Sequence, residues 1–125
     1  MLTGLSHGEI VDRLAVLRIR SWKHVSETQQ RLAEWELGIL LPQLDAIGLS
    51  ERSVLWRWLL ACNLRIWEVV TLLKKMAAEG QQREVGFTRL SMTLVKLENL
   101  RIGIKDRINR RTGSVTLEVK DGDEH

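Results

Sequence analysis

The chain has 125 residues, 44% hydrophobic and 28% charged, which excludes a disordered polymer and leaves room for a single core. Nineteen basic residues face sixteen acidic ones, so the net charge is only +3, and a pI near 9.4 does not by itself demand nucleic acid. No apolar run approaches the ~20 residues of a membrane span. The opening Met1–Ser6 carries neither a basic nor an apolar leader segment, so no signal peptide is expected. A lone cysteine, Cys62, excludes an internal disulfide and fits a reducing compartment, so a cytoplasmic location is expected.

The first predicted element opens on a capping box, with Ser6 accepting from the Glu9 amide and the Glu9 carboxylate reaching back to Ser6. Ile10, Leu14, Leu17, Val25, Leu32, Trp35 and Ile39 then recur at helical spacing, which predicts one helix over about 7–38. Residues 39–50, punctuated by Pro42 and Gly48, read as a connection. Ser50 is the expected N-cap of a second helix over 51–79, closed by Gly80. That helix is apolar on two sides. Its main seam is Leu55, Trp58, Cys62, Ile66, Val69, Leu73 and Met76, and a second runs Trp56, Leu60, Asn63, Trp67, Val70.

A third helix is predicted over 85–112, ending at Gly113 after Arg107, Arg110 and Arg111, whose charge suits a helix C-terminus. Its ladder runs Phe87, Leu90, Leu94, Leu97, Arg101, Ile104, Ile108, with gaps of 3, 4, 3, 4, 3, 4. Arg101 is the one charge in that ladder and needs a carboxylate or carbonyl partner. Val115, Leu117 and Val119 alternate with Thr116, Glu118 and Lys120, a strand pattern in the terminal 114–125 segment, followed by acidic residues. A lone strand leaves its ladder groups unpaired, so a second copy or docking along the bundle is expected to complete it. The fold expected is all-α, a bundle of three long helices over 1–113 with a short C-terminal strand.

Arg101 has candidate partners in Asp12, Asn63 and Glu68 on the other helices, with Lys105 one turn further along its own. The bland reading is an ion pair that sets helix register; the sharper one is an anion site. Glu9 and Asp12 are one turn apart, as Mg²⁺ ligands can be, but the capping box already accounts for Glu9 and no metal is expected. His7, His24 and His125 are too scattered for zinc, and no nucleophile elbow, P-loop or dinucleotide fingerprint occurs. No catalytic residue and no cofactor are therefore assigned. The basic residues around Lys105–Arg111 have no interleaved aromatic platform for bases, so nucleic acid is a minor alternative.

Three stretches together resemble a family of small uncharacterised helical bacterial and phage proteins, often associated with glycosyltransferase-type genes. Gly8-Glu-Ile-Val-Asp12-Arg-Leu is similar to its G-E-L-x-D-K-L opening, and Asn63-Leu-Arg-Ile-Trp67-Glu68 to its N-x-x-L-W-[DE] helix. Arg101-Ile-Gly-Ile-Lys105-Asp-Arg-Ile108-Asn109, followed by Thr112-Gly113-Ser114, is similar to its R-x-x-x-K-x-x-I-N and T-G-S. The chain departs from it at Val70-Thr71, where the family carries an acidic pair, and at Glu98-Asn99-Leu100, where it shows N-D-x. The resemblance implies a helical fold and no known activity.

The function expected is a non-enzymatic interaction or assembly protein, a homodimer or higher homo-oligomer that could also engage another protein. Trp22, Trp56, Trp67, Val115, Leu117 and Val119 are the expected interface. The alternative is a helical enzyme or binder of a phosphorylated or nucleotide-sugar ligand using Asp12, Asn63, Arg101 and Lys105.

Overall fold

A computed structural model of the protein describes residues 4–23 and 26–114. Its elements are α1 (His7–Trp22), α2 (Glu27–Leu40), α3 (Pro42–Ile47), α4 (Val54–Ala78) and α5 (Val85–Thr112), with no strand among the described residues. The all-α class holds. The element count is four longer helices and one short one, because the expected 7–38 helix is two helices.

The break follows from capping. α1 stops at Trp22, and Ser26 starts a new helix by accepting from the Gln29 amide at 3.1 Å, with Glu27 in the favourable first turn. α2 then folds back on α1 as a helical hairpin. The break changes the phase of the apolar stripe. Ala33, Leu37 and Leu40 are buried, whereas Leu32, Trp35 and Ile39, expected to continue the first stripe, are more than half exposed. Val25, from the same stripe, lies outside the described residues. The expected connection over 39–50 is also partly helical. Pro42 sits in the first turn of α3, where its missing N–H costs nothing, and Gly48 ends that helix at φ 97°.

α4 begins three residues later than expected. Its N-cap is Ser53, whose hydroxyl accepts from the Ser50 amide at 2.9 Å, while Ser50 caps only the turn before it. Its end, before Gly80 at φ 73°, and the span of α5, closed by Gly113 at φ 73°, agree with the spacing-based reading. The 114–125 strand falls outside the described residues except for Ser114, so Val115, Leu117 and Val119 have no described position.

The two seams of α4 exchange roles at the tryptophans. Trp56 is 1% exposed and packs in the core with Leu14, Leu44, Leu59 and Ile108. It is therefore covered within the chain and does not belong to an interface. Trp58, two residues on and about 200° around the helix, is 50% exposed. The core itself is formed by α1, the α2–α3 corner, the first half of α4 and the end of α5.

Beyond that core α4 and α5 continue as a two-helix arm. No residue from Val70 to Gly103 is buried. Leu73, Met76, Phe87, Leu90 and Leu94 face a single neighbouring helix and stay half-buried. Arg101 stands at the root of this arm and is bonded to α1, whose last turns run on beside Trp67 and Val70 of α4.

Candidate functional site

The sequence motifs around Asp12 and Arg101 meet across α1 and α5, which run antiparallel. Arg101 donates to Asp12 through two nitrogens, Nε to Oδ1 at 3.1 Å and Nη2 to Oδ2 at 2.7 Å, a bidentate fork on a carboxylate. Its third nitrogen, Nη1, donates to Glu98 at 3.0 Å one turn back on α5. From α4, Asn63 donates through Nδ2 to the same Asp12 oxygen at 2.8 Å and to the Leu59 carbonyl at 3.2 Å. Three helices thus converge on one carboxylate, whose side chain is only 7% exposed. Asp12's hydrogen bonds hold the Arg101 proton more firmly than in a free guanidinium, outweighing the opposite effect of burial.

The contact continues toward the α1 N-terminus. Lys105 Nζ meets Glu9 at 2.8 Å. The Glu9 carboxylate is committed to this ion pair, so only half of the expected capping box forms, the Ser6 hydroxyl accepting from the Glu9 amide at 3.2 Å. The Gly8 amide donates to Asn109 Oδ1 at 2.7 Å, and the His7 amide to the Ser114 hydroxyl at 2.9 Å. His7 Nδ1 lies 2.7 Å from Thr112 Oγ1. These bonds satisfy amides that a helix N-terminus leaves without partners. Positions 8, 9 and 12 therefore pair with 109, 105 and 101 in descending order. Of the residues expected at the site, Asp12, Asn63, Arg101 and Lys105 are brought together. Glu68 is not: it is exposed and pairs with Arg65 at 3.6 Å.

Glu98, Thr112 and Ser114 were not assigned from sequence as members of this network. The one signal that finds them is the mirrored spacing of polar residues on the two helices, visible only once α1 and α5 are paired antiparallel. Gly8 is the steric condition for that pairing. A Cβ built there would lie 2.6 Å from the Lys105 carbonyl oxygen and 3.1 Å from Asn109 Oδ1. Because the first of these is backbone, Gly8→Ala must push α1 off α5. Urea unfolding of Gly8→Ala is expected to show a loss of about 1–2 kcal/mol, overpacking strain exceeding the gain in helix propensity.

Cys62 lies beside this cluster, its thiol donating to the Leu97 carbonyl at 3.4 Å. Burial pushes the thiol up, against the pull of Arg101, so it stays protonated near neutral pH. Alkylation by iodoacetamide at pH 8 is expected to be at least ~10-fold slower in the native chain than in urea, since attack needs the thiolate and an opening of the fold. Above the ordinary thiol range the unfolded state loses this proton first, so the cysteine's contribution to stability falls as pH rises.

Of the other expected interface residues, the two that are described, Trp22 and Trp67, sit on the surface. Trp22 is 51% exposed, and Trp67 is 39% exposed with Lys23 Nζ 5.4 Å from its ring centroid. No metal-binding cluster of histidine, cysteine or carboxylate occurs among the described residues, and no described helix is long and apolar enough to cross a membrane. No family model matches the chain, and no characterised protein and no solved structure is significantly similar to it.

Proposed function

We propose that the protein is a non-enzymatic helical assembly protein that pairs with a second copy of itself through the α4/α5 arm. The carrying observation is that thirty-four consecutive residues, Val70 to Gly103, include no buried side chain although they hold a continuous apolar ladder. Two helices alone cannot enclose such a seam, and most helical stability comes from packing of the apolar face. A second apolar stripe, Met92, Val95 and Ile102, points outward from α5 and is 57–61% exposed. Two arms packed side by side along this stripe make a four-helix bundle that covers it. An isologous contact uses this one surface twice.

The alternative, a site for a phosphorylated ligand at Asp12, Arg101 and Lys105, has less support. Three of Arg101's five N–H donors go to Asp12 and Glu98, and Lys105 is paired with Glu9, so both cations already have a carboxylate partner. The cluster reads as the lock that sets the register of α1 on the root of the arm. A nucleic-acid role draws no new support either: the C-terminal arginines of α5 complement that helix's own dipole.

Light scattering on the full chain tests the proposal. A mass near twice 14.4 kDa at micromolar concentration is expected. A mass of one chain up to ~100 μM, a concentration at which even a weak dimer with a Kd of order 10 μM is mostly formed, overturns it.

A further inference from the structure

At the root of the arm, α4 and α5 leave an outward-facing groove of about 760 Å³, with Trp58, Leu97, Leu100 and Gly103 among its walls and Arg107 and Arg110 on its rim. Neither of these two arginines has an ion-pair partner among the described residues. The floor at Gly103 is open, since a Cβ there would meet nothing within 4 Å.

We infer that this groove receives residues 115–120 of a second copy of the chain, an inference that rests on the self-association proposed above. Chemistry is the first argument. Val115, Leu117 and Val119 alternate with polar residues, so one side of an extended segment is apolar, and the residues that directly follow it, 121–124, carry three acids and no base, opposite in sign to the rim. Length is the second. From Arg110 back to Leu97, α5 rises ~20 Å at ~1.5 Å per residue, and six extended residues cover the same ~20 Å at ~3.3 Å each.

Direction decides for the second copy. The Ser114 hydroxyl accepts from the His7 amide at 2.9 Å, which ties the departing chain to the α1 side of α5. Gly103 and Arg107 lie about 200° around α5 from Arg101 and Lys105, the residues that hold α1. A chain's own groove is therefore behind α5 from the point where its terminal segment departs. Exchange across a two-fold axis gives each groove one segment and needs no reversal of the chain.

The test uses full-length chains carrying one added cysteine each. Gly103→Cys is placed where the groove has free space, and Leu117→Cys on the apolar side of the segment. An isotope-labelled Gly103→Cys chain is mixed with an unlabelled Leu117→Cys chain and oxidised mildly, and the linked peptides are identified by mass spectrometry. The expected product is a mixed 103–117 disulfide between chains at least ~10-fold above the level in 1 M salt, where rim charges are screened. A 103–117 bond found only within one chain, using the double variant, overturns the inference in favour of self-capping. No 103–117 bond in a sample whose mass is that of a dimer overturns it while leaving the arm-to-arm reading intact. No bond in a monomeric sample overturns both. Leu117→Asp supplies a second reading: dimer dissociation is expected to strengthen by at least ~10-fold, with an unchanged helical circular dichroism spectrum, and unchanged dimer affinity counts against the inference.

Discussion

Arg101→Met is expected to lower the unfolding free energy by about 3 kcal/mol, at the low end for a broken buried ion pair because the arginine side chain keeps part of its surface in water. Asp12 is the reason. Its carboxylate is 7% exposed and receives two bonds from Arg101. Without them it retains the Asn63 amide as its one described partner, too little for a charge taken out of water. For a chain of this size the midpoint of thermal unfolding is expected to fall by roughly 10 °C. Replacing both members by apolar residues, Asp12→Leu with Arg101→Met, is expected to recover most of the loss, since no unpaired charge is left. Calorimetry or urea unfolding of the two singles and the double closes the cycle. A midpoint within ~1 °C of the parent for Arg101→Met, a change too small for a lost buried charge partner, contradicts a locking role and returns the cluster to consideration as a ligand site.

The second large effect is expected on the arm. Met92→Glu with Val95→Glu places two carboxylates on a stripe whose members are 58% and 61% exposed in the single chain. Both positions lie outside the core, so the monomer folds as before. Dimer dissociation is expected to rise at least ~100-fold, about 2.7 kcal/mol, because like charges face each other across a two-fold contact. Sedimentation at several concentrations reads this directly. Thermal unfolding of the parent is expected to depend on protein concentration and that of the variant not to, as mass action requires. Unchanged association in the variant removes the outward stripe of α5 from the interface.

Much of the polar lock was legible beforehand. A guanidinium at a seam position must be answered, and carboxylates on apolar ridges are few, so Asp12 and Asn63 could be nominated from spacing. Glu98 could not, because helical charge pairs are ordinary in solvent. Its role depends on which way α1 crosses α5. Gly8 shows the same limit: its spacing carries no mark of the close approach that only backbone packing creates.

The tryptophans mark the boundary most clearly. A helix with apolar residues on two sides offers two equivalent seams, and no property of Trp56 or Trp58 ranks one above the other. Packing against α1 and α3 chose Trp56, and the same rotation turned Trp58 outward. The break at residues 23–26 is similar in kind. Ser26 and Glu27 are sound capping signals, yet an apolar stripe could be traced across them at helical spacing, so the turn became evident only when α2 packed back on α1. Composition and periodicity therefore carry the helical class, the spans of α4 and α5 and the charge that must be paired, since these are local consequences of side-chain spacing and backbone propensity. The choice among equivalent faces, the polar register of α1 on α5 and the bare two-helix arm are consequences of which surfaces compete for burial, and that competition exists only in three dimensions.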